Sequence, residues 1–292
     1  MRAVIAIATV AIAALAITAL VNPLDAQTRG AQTPSALKVT HAIVSETEDG
    51  PAFAQGALFQ PGDMLFFSFQ VENYRMGLTG KVQLTGHIQA FDPAGTPIIT
   101  RDEELIGTTV SEEDKDWKPK LRLQFQLPSI APPGNYTIRF EALDQQSHQT
   151  ANGEVAFPVG GKGVERSPVL AIRNLGFYRA AEDPAPLKIA AYRPGDMLWV
   201  RFDIAGYRYG DQNSIDTGYD VEVLSPSGKQ LFAEENAAVE KSQAFYPQPW
   251  VPATFNLSLD AKTTPGSYKL IITAHDAVGN QMAVERAEFK VE

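Results

Sequence analysis

Residues 61–65 of this chain read PGDML, and residues 194–198 read PGDML again, 133 positions further on. A second motif returns at nearly the same distance, because PGNY at 133–136 recurs as PGSY at 265–268. Matching apolar and turn residues at offsets of 133 or 132 run from Phe59 with Tyr192 to Val159 with Val291. A fixed internal offset indicates that one folding unit was duplicated, so the chain is predicted to contain two copies of one domain.

In each copy, apolar residues occupy every second position of short segments that are bounded by turn signals. The clearest segments carry Leu65, Phe67, Phe69 and Val71 in the first copy and Leu198, Val200, Phe202 and Ile204 in the second. This period of two indicates strands with one buried and one wetter face, and it places Asp203 on the wetter face. About seven short strands in roughly 120 residues is typical of an antiparallel β-sandwich.

The repeated turns explain why glycine and tyrosine recur. Proline presets the second position of the turn, and glycine tolerates the positive φ of the third position. Tyrosine then enters the next strand, with its ring in the core and its hydroxyl returning to the backbone near the turn. This arrangement resembles the tyrosine corner of immunoglobulin-like sandwiches. The structural residues predicted from these motifs are Gly62, Gly134, Tyr136, Gly195, Gly266 and Tyr268.

Longer motifs carry a resemblance to two kinds of β-sandwich domain. Residues 274–280, AHDAVGN, resemble the Ala-x-Asp-x-x-Gly-Asn hairpin of bacterial immunoglobulin-like domains. YRPGD at 192–196, VEVLSPSG at 221–228 and PGSY resemble the macroglobulin-like β-sandwich domain. The resemblance implies an all-β fold class, with two tandem antiparallel immunoglobulin-like β-sandwiches after a signal peptide. It does not extend to the thioester chemistry of full macroglobulins, because the chain has no cysteine.

Composition predicts the boundaries of the domains. Residues 1–26 are predicted to be a cleaved signal peptide, because basic Arg2 precedes an apolar run from Ala3 to Val21. An uncleaved membrane anchor is the alternative, since that run approaches the roughly 20 residues that span a bilayer. Three glycines within residues 160–163 predict a flexible hinge. The other predicted segments are a disordered lead-in at 27–36, β-sandwich domain 1 at 37–159, a glycine-rich linker at 160–167 and β-sandwich domain 2 at 168–292.

Charge and cysteine content narrow the compartment and the partners. The formal net charge is −9, and an acidic chain is poorly suited to nucleic acid or to anionic membrane surfaces. An exported chain without cysteine holds its fold by core burial alone. We therefore predict an exported protein, periplasmic, secreted or at the cell surface, that binds no nucleic acid and has no membrane span after signal cleavage.

The sequence offers little for catalysis. It has no Gly-x-Ser-x-Gly elbow, and its four histidines show no metal-binding spacing. His275 and Asp276 are adjacent, but neighbours on a strand point to opposite faces. Acidic runs at 102–104 and 112–116 offer oxygen ligands for calcium without matching a calcium loop, so a solvated acidic loop is favoured. We predict no catalytic or metal-binding residue and no cofactor.

The aromatic residues of the second copy are the candidate ligand or partner surface. Exposed together, they would bind a glycan or a protein through their ring faces. The alternative is that the tryptophan, like Trp117 at the matching position of the first copy, fills the open edge of a sandwich. The candidate residues are Tyr207, Tyr209, Tyr246 and Trp250.

These observations predict a non-catalytic, extracytoplasmic binding or scaffolding protein that recognises a protein or a cell-envelope glycan through β-sandwich surfaces. A carbohydrate-binding accessory module, part of a hydrolase, is one alternative, and it needs the four aromatic side chains exposed on one face. A periplasmic assembly chaperone is another. It needs basic residues in the interdomain cleft and a long edge strand in the first domain, where the segment around Phe157 looks short.

Overall fold

Strands dominate the computed structural model, which describes residues 35–114 and 116–292 and, for residues 102–105 and 112, the backbone only. The all-β prediction is confirmed, because the described residues form fifteen strands and two short 3₁₀ turns, Glu112–Asp114 and Asp211–Asn213, and no α-helix. The predicted signal peptide lies outside the described residues, as does the lead-in up to residue 34. Within the described residues, no helix has the length and apolar character needed to cross a membrane.

The first copy of the repeat forms a first sandwich of seven strands. One sheet has the order β1-β2-β5 and the other has the order β4-β3-β6-β7, with every pair antiparallel. Side chains of both sheets enclose one core, in which the ring of Phe140 lies 5.1 Å from Phe67 and 4.6 Å from Phe69. The strands are β1 (Lys38–Ser45), β2 (Met64–Glu72), β3 (Lys81–Phe91), β4 (Pro97–Thr109), β5 (Lys120–Gln126), β6 (Gly134–Asp144) and β7 (Thr150–Val159).

The second copy forms a second sandwich with its own core. Its sheets have the orders β13-β10-β8 and β12-β11-β14-β15-β9, and only the two-residue strand β9 pairs in parallel. Phe202 and Tyr219 meet edge to face between the sheets, with ring centroids 4.9 Å apart. The strands are β8 (Ala171–Tyr178), β9 (Ala191–Tyr192), β10 (Met197–Ala205), β11 (Ile215–Leu224), β12 (Gln230–Ser242), β13 (Trp250–Ser258), β14 (Gly266–Asp276) and β15 (Gln281–Val291).

Each sandwich contains the hydrogen bond of a tyrosine corner. The hydroxyl of Tyr136 donates to the carbonyl oxygen of Pro132 at 2.8 Å, and that of Tyr268 donates to Thr264 at 2.6 Å. Both rings are buried, at 0% and 3% exposure. A buried hydroxyl without a partner would be costly, so the short return to the backbone lets the ring enter the core.

The turn glycines before these tyrosines are required by conformation and by space. Gly134 and Gly266 have φ of 145° and 154°. A Cβ at these positions would lie 2.7 Å from Cγ of Pro93 and 2.5 Å from Cγ of Pro226, respectively. The proline of the neighbouring hairpin therefore packs directly against the glycine in both copies.

The predicted boundary between the domains stays a prediction, because residues 36–292 form one compact unit. The two hydrophobic cores nevertheless draw on residues from opposite sides of the glycine-rich linker. The predicted flexible hinge likewise stays a prediction, and residues of the linker make contacts with both sandwiches. The N–H of Gly160 donates to the carbonyl oxygen of Phe59 at 2.8 Å, and Lys162 and Arg166 reach carboxylates on different sandwiches.

Candidate functional site

Asp92 opens the turn between β3 and β4, and its side chain is only 2% exposed. The carboxylate oxygen Oδ1 accepts hydrogen bonds from the backbone N–H groups of Ala94 and Thr96, both at 2.8 Å. Such side-chain bonds to the following backbone close a turn. The second oxygen, Oδ2, is left for partners outside the turn.

The second sandwich and the linker provide those partners. Tyr246, in the loop between β12 and β13, donates its hydroxyl hydrogen bond to Asp92 Oδ2 at 3.1 Å. Arg166 of the linker places Nη2 3.6 Å from the same oxygen. Burial, followed by the Asp92 carboxylate, raises the pKa of Tyr246 above its ordinary value of 10.0, so the hydroxyl stays a donor. One buried carboxylate therefore joins the first sandwich to the linker and to the second sandwich.

A second contact fastens the linker to β10. Asp203 is 0% exposed, although the alternation of β10 predicts a wetter position, so that prediction is wrong. Its Oδ2 forms an ion pair with Lys162 Nζ at 2.5 Å and accepts a hydrogen bond from Asn174 Nδ2 at 2.9 Å. The linker and the irregular register between β8 and β10 bring these donors over the strand, and the carboxylate is buried as one member of an ion pair.

Three of the four candidate aromatic residues are buried. Tyr207, Tyr246 and Trp250 are 5%, 9% and 6% exposed, whereas Tyr209 is 41% exposed. The hydroxyls of Tyr207 and Tyr209 both donate to the carbonyl oxygen of Gln248, at 2.5 and 2.6 Å. The structure therefore gathers the tyrosines around residues 246–249 but does not present four ring faces to solvent.

An open cavity of about 320 Å³ lies beside the contact between Asp92 and Tyr246. Its walls come from the linker, the loop after β10 and the loop before β13, and they include Arg166, Arg208 and Tyr209. All three of these side chains are exposed. Two cationic arginines and one exposed tyrosine side chain thus share a recess in a chain whose net charge is −9.

His275 has an acidic partner on the neighbouring strand. Nε2 of His275 lies 2.6 Å from Oδ2 of Asp220 on the neighbouring strand. The adjacent residue, Asp276, is buried instead and accepts a hydrogen bond from the N–H of Gly279 at 2.9 Å. Neighbours on this strand therefore do point apart. Within the described residues, no group of three or more His, Cys, Asp or Glu side chains could hold a metal ion.

The chaperone alternative depends on an edge strand and on basic residues, and the edge-filling alternative depends on Trp117. The segment around Phe157 belongs to β7, which has ten residues and lies at the edge of its sheet, so it is longer than it looked. Arg166 and Arg208 are basic residues at the junction, the region where the linker and the neighbouring loops meet the two sandwiches. Trp117 is 38% exposed with its ring against Tyr74, so it fills its edge less completely than Trp250 does.

Sequence reasoning missed the charged residues of the junction. One signal was present, because the turn residue at position 92 differs between the copies. Position 225, which matches it at the offset of 133, holds serine. The missed residues are Asp92, Lys162, Arg166, Asp203 and Arg208.

Comparison with known proteins gives a partial similarity. No protein-family model matches the chain. Over 92 residues, the chain is 32% identical to an alpha-2-macroglobulin of Ralstonia nicotianae, a segment that is 31% of this chain and only 5% of that protein. This similarity is consistent with a macroglobulin-like β-domain. A solved structure, the Pseudomonas fluorescens alkylpurine DNA glycosylase AlkC bound to DNA containing an abasic site analog, aligns with a TM-score of 0.27 and 13% identity, over 44% of this chain and 31% of that chain.

Proposed function

We propose that this protein is a non-catalytic binding or scaffolding protein that acts outside the cytoplasm, in the periplasm or at the cell surface, on a protein or cell-envelope partner. The observation that carries the proposal is the buried Asp92 carboxylate, which Tyr246 and Arg166 approach from the second sandwich and the linker. Two sandwiches held in one arrangement present their loops to a partner without the entropic cost of ordering a free hinge. The partial similarity to a macroglobulin supports the extracytoplasmic part.

Capture of an envelope partner, with the junction intact or broken, tests this proposal. Lys162→Met removes the cation that pairs with buried Asp203. Lys229→Met removes an exposed lysine at the end of the β11–β12 hairpin turn and is the matched control. We expect the full wild-type chain and Lys229→Met to form the same stoichiometric complex in size-exclusion chromatography with light scattering.

Lys162→Met should retain less of that partner, because its linker is no longer fastened to β10. Circular dichroism checks that each variant is folded. A complex of equal yield with Lys162→Met, or no complex with the wild type in any envelope fraction, contradicts the proposal.

A further inference from the structure

We infer that the cavity beside Asp92 and Tyr246 binds a carboxylated sugar through Arg166 and Arg208. The inference rests on the proposed function, because it names a ligand for the junction. The volume of about 320 Å³ lies at the lower end of the roughly 300–1,000 Å³ typical of small-ligand sites. The recess therefore suits one sugar unit, either free or at the end of a chain.

The charges around the cavity select an anion. Asp92 already accepts hydrogen bonds from two backbone N–H groups and from Tyr246, which compensate its charge. Arg166 Nη2 lies 3.6 Å from that carboxylate, within ion-pair distance but beyond hydrogen-bond distance, so the guanidinium makes no hydrogen bond to a described residue. The guanidinium of Arg208 has no hydrogen bond or ion pair with any other described residue. Guanidinium groups match the planar geometry of a carboxylate.

A backbone hydrogen bond and close packing against the β14–β15 turn fix the position of Arg208 at the cavity. Its backbone N–H donates to Oδ2 of buried Asp276 at 2.9 Å. The side chain runs so close to the β14–β15 turn that a Cβ on Gly279 would lie 2.5 Å from Arg208 Cγ. In the first copy, the backbone N–H of Arg75 donates to Oδ2 of Asp144 at 2.8 Å, yet Arg75 does not line this cavity. The anchor is duplicated, and only the second copy places its arginine at the junction.

The remaining walls favour a sugar over a peptide. None of the residues that line the cavity lies in a strand, so an extended peptide finds no strand edge to pair with. The Tyr209 residue is 41% exposed at the cavity, while its hydroxyl stays bonded to the Gln248 carbonyl oxygen. Pro247 and Pro249 add apolar surface to the wall of the cavity. A pyranose carboxylate uses both features, because its ring packs on an aromatic face and its charge meets the arginines.

Isothermal titration calorimetry of the full chain with galacturonic acid, galactose and the peptide acetyl-Ala-Glu-Ala-amide tests the inference. We expect galacturonic acid to bind about tenfold or more tightly than galactose, because only the acid forms charge-assisted hydrogen bonds. Arg208→Ala should weaken galacturonic acid binding by about tenfold or more, and Arg208→Lys by less. Arg75→Ala, the matched control, should change it by less than about twofold. Trigalacturonic acid shows whether a free sugar acid or a chain end binds better.

Four results overturn the inference: no binding of galacturonic acid at millimolar concentration, equal affinity for galactose, equal loss with Arg75→Ala, or binding of the peptide without the sugar. If the wild type forms a partner complex but binds no galacturonic acid, the inference fails and the proposed function stands. If galacturonic acid binds but no envelope protein or glycan is retained, the proposed function fails instead.

Discussion

Replacing Tyr246 by phenylalanine removes one oxygen atom from the contact between the sandwiches and leaves the ring in place. The lost hydroxyl donates to Asp92 Oδ2 at 3.1 Å, and the Asp92 side chain is 2% exposed, so water does not readily replace it. A hydrogen bond to a charged group contributes about 1.5–3 kcal/mol. Because Arg166 remains 3.6 Å from the same oxygen, we expect the free energy of unfolding to fall by about 2 kcal/mol.

The measurement is a thermal unfolding curve by circular dichroism together with small-angle X-ray scattering. In a chain of this length, a loss of about 2 kcal/mol lowers the unfolding midpoint by roughly 4–8 °C. Tyr209→Phe is the control, because its hydroxyl donates to the uncharged Gln248 carbonyl and its side chain is exposed, so we expect a loss below about 1 kcal/mol. The scattering curve of Tyr246→Phe should show a wider spread of distances between the sandwiches. An unchanged midpoint and an unchanged scattering curve would refute this reasoning.

Two further predictions concern the sandwiches themselves. Gly266→Ala should lower the free energy of unfolding by about 1–3 kcal/mol in urea titration, because the added Cβ meets Pro226. Gly195→Ala, with φ of 91° and open space around it, should lose only about 1 kcal/mol, and equal losses would exclude the clash. Arg122→Ala should raise the pKa of Asp49 from about 2 toward 3.8 in an NMR titration, because hydrogen bonds from Arg122 and then Lys120 depress it. The ionised carboxylate of Asp49 stabilises the fold above pH 3.8, and this stabilisation is lost as the pH falls toward 2. A pKa of Asp49 that does not move in Arg122→Ala would contradict the role of Arg122.

The strands and turns could be predicted because each depends on residues close together in the chain. Burial along β2 alternates from Leu65 to Val71, as the period of two indicates. The hydroxyls of Tyr136 and Tyr268 bond to carbonyls only four residues away. Local patterns of this kind determine the strand or turn in which they occur, and a duplicated chain contains each of them twice.

The junction could not be predicted because its partners are distant in sequence. Tyr246 and Asp92 are separated by 154 residues, and neither carries a local signature of the other. Strand alternation assigns Asp203 to a face, but it contains no information about the linker that covers this face. The glycines of the linker indicate freedom of the backbone, whereas the ion pair of Lys162 depends on a carboxylate 41 residues further along.

The turn that contains Asp92 in the first copy and Ser225 in the second shows which interactions the turn itself requires. Asp92 and Ser225 occupy matching positions, and each side chain accepts a backbone N–H bond, from Thr96 at 2.8 Å and from Lys229 at 3.0 Å. A neutral serine therefore suffices to hold this turn. The carboxylate at position 92 adds a charge and a second oxygen that the turn does not use.

That second oxygen accepts a hydrogen bond from Tyr246 and lies 3.6 Å from Arg166. The carboxylate therefore occurs in the first copy, whose turn contacts the second sandwich. The same comparison distinguishes Arg208 from Arg75, which share one backbone anchor but only one of which lines the cavity. Residues that agree between the copies account for two similar folds. Asp92, which differs from its matching residue Ser225, and Arg208, whose surroundings differ from those of Arg75, make the pair of sandwiches asymmetric, and the proposed ligand depends on that asymmetry.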